Sequence, residues 1–192
     1  MPPFLFLLLA TVAAYLLGSL SFAMLSSRLF GLADPRSYGS GNPGATNVGR
    51  AMGKKTAILV GALDILKGFV PAMGFALATG DVAVAEIAGF AAVLGHVTSP
   101  FLHGHGGKGV ATSVGAVLAI QPVWLIPVLL VFGLVFAVSK RMGIASLTAS
   151  LVLIPASIVW HSDMSQIVFA TALALLIVVR HQSNIRAALR RD

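Results

Sequence analysis

Seven apolar runs follow one another along the chain, at residues 3–26, 56–79, 82–101, 110–120, 122–139, 143–160 and 164–179. Most approach the roughly 20 residues that a helix needs to cross a bilayer. Hydrocarbon offers no partner to backbone N–H and C=O groups, so such runs must close their hydrogen bonds within helices. Composition agrees. The chain is 57% hydrophobic and 10% charged with a mean hydropathy of +0.94, outside the range of soluble domains. We expect one all-α integral membrane domain over residues 1–192. The first run has no basic leader and exceeds the apolar part of a signal peptide, so it reads as a retained span.

The segments between the runs alternate in charge. Arg28, Arg36, Arg50, Lys54 and Lys55 lie in the first, Lys108 in the third, Lys140 and Arg141 in the fifth, and Arg180, Arg186, Arg190 and Arg191 in the tail. Gly80-Asp81, Gln121-Pro122 and His161-Ser162-Asp163 carry no Lys or Arg. The positive-inside rule puts the basic segments in the cytoplasm, the N-terminus outside and the C-terminus inside, which requires an odd number of crossings. Seven transmembrane helices satisfy it. Two crossings then share residues 110–139, so one must be short or re-entrant. Five crossings plus a re-entrant hairpin keep the same pattern. A single long helix through Gln121-Pro122 breaks it.

The net charge of +7 resides in short interhelical loops, where membrane orientation already accounts for it, so nucleic acid is not an expected partner. Anionic lipid and anionic metabolites are. The absence of cysteine excludes disulfides and thiolate chemistry.

Three basic segments carry candidate chemistry. The first, GSGNPGATNVGR within residues 37–55, combines glycines that let backbone N–H groups approach a ligand with Ser40, Asn42, Thr46 and Asn47. Arg50 adds a planar fork suited to phosphate or carboxylate oxygens. Donors without a carboxylate favour an anion, although a flexible loop whose charges fix topology has the same composition. The second segment, HGHGGKGVATS, sets Gly104, Gly106, Gly107 and Gly109 around Lys108 at a helix entry, which makes an anion site. It departs from a nucleotide-binding P-loop at Leu102 and Gly109, so nucleotide hydrolysis is not expected. His103 and His105 lack the further ligands of a metal centre, and no metal is expected. In the third segment, RHQSNIR, a continuing helix would put His181 and Asn184 on one face at i, i+3, able to hold a substrate hydroxyl. A solvated basic tail with a short amphipathic helix through Ile185 and Leu189 is the competing reading.

Asp64 and Lys67 lie inside the second run, about 12 and 16 Å along a helix begun at Thr56. Charges at that depth must pair or face a polar cavity. They either line an active site or brace it, and an i, i+3 pair needs no substrate to explain it. His96, in GHVTSP, allows the same two readings.

Together GSGNPGATNVGR, LDILKG, GHVTSPFLHGHGGKGVAT and RHQSNIRAALR resemble the bacterial acyl-phosphate:glycerol-3-phosphate acyltransferases (PlsY type), over nearly the whole chain. The resemblance implies seven helices, an external N-terminus, multi-pass residence in the bacterial inner membrane and an active site facing the cytoplasm. It implies transfer of a fatty acyl group from acyl phosphate to the 1-hydroxyl of sn-glycerol 3-phosphate, giving lysophosphatidic acid for phospholipid synthesis. No cofactor is implied, and a functional link to an enzyme that makes acyl phosphate is. The family motifs fall on Ser40, Gly41, Asn42, Gly44, Thr46, Asn47 and Arg50, on Gly106, Gly107, Lys108 and Gly109 as a phosphate-binding region, and on His181 and Asn184. His105 departs from the family pattern, where a bulkier aromatic or basic residue is expected. The His-x-x-x-x-Asp motif of soluble-domain acyltransferases is absent, as it is in this family.

An acyl phosphate is already activated, so direct attack by the glycerol hydroxyl is expected. Arg50 and Lys108 would neutralise phosphate, while Ser40, Asn47 and backbone N–H groups would orient the donor and stabilise the oxyanion. Ser40 has no His or Lys beside it in sequence to activate it as an acyl-enzyme nucleophile. The proton goes either to His181 or, the favoured reading, to a substrate phosphate. A transporter of a phosphorylated metabolite is the alternative function, but such proteins show internal repeats and midplane sites, and neither is legible here. A CDP-alcohol phosphotransferase would need an aspartate-rich metal motif, and Asp64 stands alone.

Overall fold

The computed structural model describes residues 3–189, and every regular element among them is helical. Arg190 and Arg191, expected in the basic tail, lie outside the described residues. The helices are α1 (Pro3–Ser19), α2 (Phe22–Leu29), α3 (Ala45–Met52), α4 (Lys54–Thr79), α5 (Val82–Val97), α6 (Val110–Ile120), α7 (Leu125–Ser139), α8 (Met142–Leu151), α9 (Leu153–Val159), α10 (Met164–Arg180) and α11 (Gln182–Leu189). Among the described residues, four segments are long and apolar enough to cross a membrane: Lys54–Thr79, Val82–Leu102, Pro122–Ser139 and Met142–Val159. Counting α1 and α2 as one bent span gives five.

One expectation changes in detail. The first apolar run is not a continuous helix, because α1 and α2 meet at a 46° bend. Ser21 makes the break by capping α2, its hydroxyl accepting from the Met24 N–H at 3.4 Å. A cap residue leaves the helical conformation, so the carbonyl of Leu20 is freed from the ladder. Residues 110–139 follow the expectation of two helices parted at Gln121-Pro122: the chain breaks at Gln121, and a short 3-10 turn, Pro122–Trp124, separates α6 from α7. With 11 residues, α6 is about 16 Å long, half the thickness of the hydrocarbon layer.

The chain divides into two compact units, Met1–Ile120 and Gln121–Asp192. Glycines set the close crossings of the first. A Cβ on Gly18 would run into the backbone of Ala92, and one on Gly95 into the Tyr15 carbonyl, so α1 and α5 touch backbone to backbone. Gly68 meets the Thr112 carbonyl and Gly115 the Ile65 carbonyl in the same way, joining α4 to α6. Small residues substitute for the hydrophobic drive that lipid removes between helices. Ala14, Ala88 and Ala91 fill one side of the α1–α5 contact, with Tyr15 and Phe75 packed against them.

The second unit contains α7–α11. Leu129, Leu130, Leu134 and Val138 on α7 are exposed, as expected of a helix solvated by acyl chains. Asp163 starts α10 with a reciprocal capping box to Gln166.

Candidate active site

The loop before α3 is held from inside. Asp34 caps the turn Pro35–Ser37, its carboxylate accepting from the Arg36 backbone N–H at 2.8 Å and pairing with the Arg36 guanidinium at 2.8 Å. The Arg36 guanidinium holds the Asp34 carboxyl below its usual range, its side-chain hydrogen bond being the largest cause. From the first turn of α3, buried Asn47 donates to the carbonyls of Pro35 at 2.6 Å and Tyr38 at 2.8 Å. Its Oδ1 accepts from the Ser40 N–H at 3.1 Å.

That engagement revises the role expected of Asn47. Both Nδ2 hydrogens and the amide oxygen are occupied by the loop itself, so the side chain shapes the site rather than donating to an oxyanion. Gly39 passes so close to Asn47 Oδ1 that no Cβ fits, and its φ of +55° favours glycine as well. The Arg50 stem lies beside Gly39. Ser40, Asn47 and Arg50 therefore form one cluster, in which Ser40 and Arg50 are exposed. Gly41 takes the left-handed conformation (φ +67°). Gly44 caps α3 in an extended conformation, and Thr46 is exposed on its first turn. Asn42 Oδ1 is buried and has no hydrogen-bond partner among the described residues, so it is available to accept from a ligand. Lys54 and Lys55 are exposed at the start of α4.

The glycine loop is also packed rather than open. Gly106 and Gly107 donate their N–H groups to the carbonyls of Val97 and His96, both at 3.1 Å. A Cβ on Gly106 would strike the His96 carbonyl, and one on Gly107 the His96 imidazole. These two glycines serve close approach to the end of α5, and their N–H groups are spent there, contrary to the expectation that they cradle a phosphate. Gly109 (φ +85°) turns the chain into α6, whose first closing hydrogen bond runs from Ser113 N–H to Gly109 O at 2.8 Å. The N–H groups of Val110, Ala111 and Thr112 thus begin the helix without intrahelical partners. Half-buried Lys108 precedes Gly109. His105 is exposed, and its Nδ1–H donates to the His103 carbonyl at 2.8 Å.

Pro43 of the first loop and Gly107 of the second line one small cavity with Asp64, Lys67, His96, Ser19 and Ser99. The two motifs come together there. Asp64 and Lys67 form a buried ion pair of 2.8 Å, so the i, i+3 pairing expected from their spacing is present.

His181 and Asn184 belong to the second unit. The helix does not continue through them: α10 ends at Arg180 and α11 begins at Gln182. His181 causes the break. Its Nδ1–H donates to the Ile177 carbonyl at 2.8 Å, the acceptor its own backbone N–H would use in a helix, and that N–H shifts to Val178 O at 3.0 Å. Since a carbonyl can only accept, the bond places a proton on Nδ1. Asn184 is half-buried against Gly143 at the start of α8, where no Cβ fits. The sequence reading missed both the bracing carbonyls of Pro35 and Tyr38 and this use of Gly143. A glycine at the very start of the apolar run 143–160 was the available signal for the latter.

Helical throughout its described residues, with several apolar spans and with glycine-rich, basic loops beside a helix entry, the chain falls into a class: an integral membrane protein whose loops have the composition of an anion site. Comparison with known proteins narrows this. The sequence profile of the glycerol-3-phosphate acyltransferases matches residues 8–191. The chain is 40% identical over 183 residues to the glycerol-3-phosphate acyltransferase of Aquifex aeolicus (strain VF5), covering 95% of each protein. It is 44% identical over 182 residues to that of Methylobacillus flagellatus, covering 93% of this chain and 91% of the relative. The crystal structure of PlsY (YgiH), an integral membrane glycerol 3-phosphate acyltransferase, in its glycerol 3-phosphate form superposes with a TM-score of 0.91 at 39% identity, over 96% of this chain and 92% of that one. The lysophosphatidic acid form gives 0.89. The chain belongs to the glycerol-3-phosphate acyltransferase family of PlsY type, and is an acyltransferase of bacterial membranes.

Proposed function

We propose that the chain transfers a fatty acyl group from acyl phosphate to the 1-hydroxyl of sn-glycerol 3-phosphate, at the cytoplasmic face of the bacterial inner membrane. The observation that carries this is the likeness over 96% of the chain to solved structures described as the glycerol 3-phosphate and lysophosphatidic acid forms, one the acceptor and the other the acylated product. Acyl phosphate as donor rests on the resemblance of the motifs to the acyl-phosphate-using acyltransferases.

In this reading the glycerol oxygen attacks the acyl carbonyl carbon. The new C–O ester bond forms, the acyl carbon–oxygen bond to phosphate breaks, and the hydroxyl proton leaves on the departing phosphate. Arg50 and Lys108 neutralise phosphate, and the first N–H groups of α6 donate to an anionic oxygen. Ser40, Asn42 and Thr46 orient substrate, with Asn47, Gly41 and Gly44 shaping the loop beneath them. Gly106, Gly107 and Gly109 set the position of Lys108. His181 and Asn184 hydrogen-bond a substrate hydroxyl. Replacing His181 by Ala should weaken glycerol 3-phosphate binding while the chemical step survives. Loss of the chemical step with binding intact would make His181 the base.

Seven crossings, with α6 and α10 as short ones and the N-terminus outside, keep every basic loop on one side. The donor is tested by offering purified protein acyl phosphate, acyl-CoA or acyl-carrier protein with labelled glycerol 3-phosphate. Product from acyl phosphate alone is expected, and product only from a thioester would overturn the assignment.

A further inference from the structure

We propose that Asp64, Lys67 and His96 act as one positioning unit, which fixes the glycine loop, and with it Lys108, against the break in the first span. Lys67 Nζ has three engagements. It pairs with Asp64 Oδ1 at 2.8 Å, donates to the Leu20 carbonyl at 2.7 Å, and lies 5.6 Å from the centre of the Phe22 ring. The Leu20 carbonyl is an acceptor because the helix breaks there, and Lys67 reaches it from α4. The same Asp64 Oδ1 also lies 3.8 Å from His96 Nδ1. The opposite edge of the same imidazole abuts Gly107, so that no Cβ fits between them, while the His96 carbonyl holds the Gly107 N–H at 3.1 Å.

A chain of contacts therefore runs from the α1–α2 break through Lys67, Asp64 and His96 to the residue before Lys108. All three side chains are buried. Charge neutralisation alone would be satisfied by the ion pair and accounts for neither the reach to Leu20 nor the seat of Gly107. Stability does not demand the charges either, since a buried ion pair exchanged for apolar residues of similar volume is often neutral or stabilising. What the trio supplies is a fixed geometry where two loops meet.

The test uses the full chain in detergent, as Asp64→Leu/Lys67→Met together, so that no buried charge is stranded, and as His96→Ala separately. The melting temperature, amide hydrogen exchange of peptides covering 97–109, and kcat are read on each. The expected result is a folded double variant of unchanged melting temperature whose 97–109 peptides exchange about tenfold faster, with α8 and α10 unaffected. Its kcat falls about 100-fold, the size of loss that a misplacement near 1 Å produces. His96→Ala shows the same local change. Wild-type exchange and wild-type kcat in either folded variant would overturn the inference, as would exchange raised uniformly along the chain. The activity readout rests on the proposed function, whereas the exchange readout does not. A wild-type protein that makes no lysophosphatidic acid, beside variants with the local exchange change, would defeat the proposed function and leave the positioning unit standing.

Discussion

At the scale of single residues, the site rests on side chains that touch backbone rather than substrate. Asn47 is the clearest case, because its amide closes the loop on two carbonyls and one N–H. Replacing it by Asp keeps the acceptor for Ser40 and removes both donors. Asn47→Asp should therefore be nearly as damaging as Asn47→Ala, each costing about 1–3 kcal/mol through unmatched polar groups, seen as a lower melting temperature together with reduced kcat. If Asn47 served only an oxyanion, kcat would fall with no change in melting temperature. The Asp34 carboxyl makes a second prediction. Held low by Arg36, its contribution to loop order is fully present above the unfolded value of about 3.9 and is lost as pH falls through the lower folded value. Carboxyl NMR should find Asp34 titrating below about 3.9 and moving upward in Arg36→Ala. The sequence marked Asn47 as important through its place in a glycine-rich, carboxylate-free loop. It could not show the task, because the carbonyls of Pro35 and Tyr38 reach Asn47 only once the loop has folded back on α3.

Among elements, glycine contacts decide how closely helices pass. Gly115→Ala sets a methyl group against the Ile65 carbonyl and should cost about 1–3 kcal/mol by overpacking. Gly133→Ala in α7 meets nothing within 4 Å and should leave the melting temperature unchanged. Equal effects in a thermal unfolding series would contradict the role given to the α4–α6 crossing. Periodicity and charge alternation were enough to place most helices, since apolar runs in lipid have little choice but to be helical. The break at Ser21 was not legible. LGSLSFAML carries no charge, proline or turn pair to mark a break, and what makes the bend is one of its serines acting as a cap and a lysine 47 positions away on α4 that takes up the Leu20 carbonyl. The kink at His181 was hidden for a similar reason: the ring competes with the backbone for the Ile177 carbonyl, and hydropathy does not register that exchange.

For the whole molecule, the resemblance legible in four motifs extends to the entire chain, whose relatives cover it almost end to end. The glycine-rich loops, which composition alone allowed to be linkers, are built parts of the first unit, and the polar network beneath them explains why so apolar a chain keeps Asp64 and Lys67. The central claim is chemical: acyl phosphate and glycerol 3-phosphate become lysophosphatidic acid and phosphate without metal, CoA or carrier protein. It is tested most directly by reconstituting the purified protein in vesicles with those two substrates alone, following labelled glycerol 3-phosphate into lipid and into the vesicle lumen. Lysophosphatidic acid and phosphate formed one for one, with no label accumulating free in the lumen, is the predicted result. Uptake of unmodified glycerol 3-phosphate with no lysophosphatidic acid formed would contradict the account and favour a transporter.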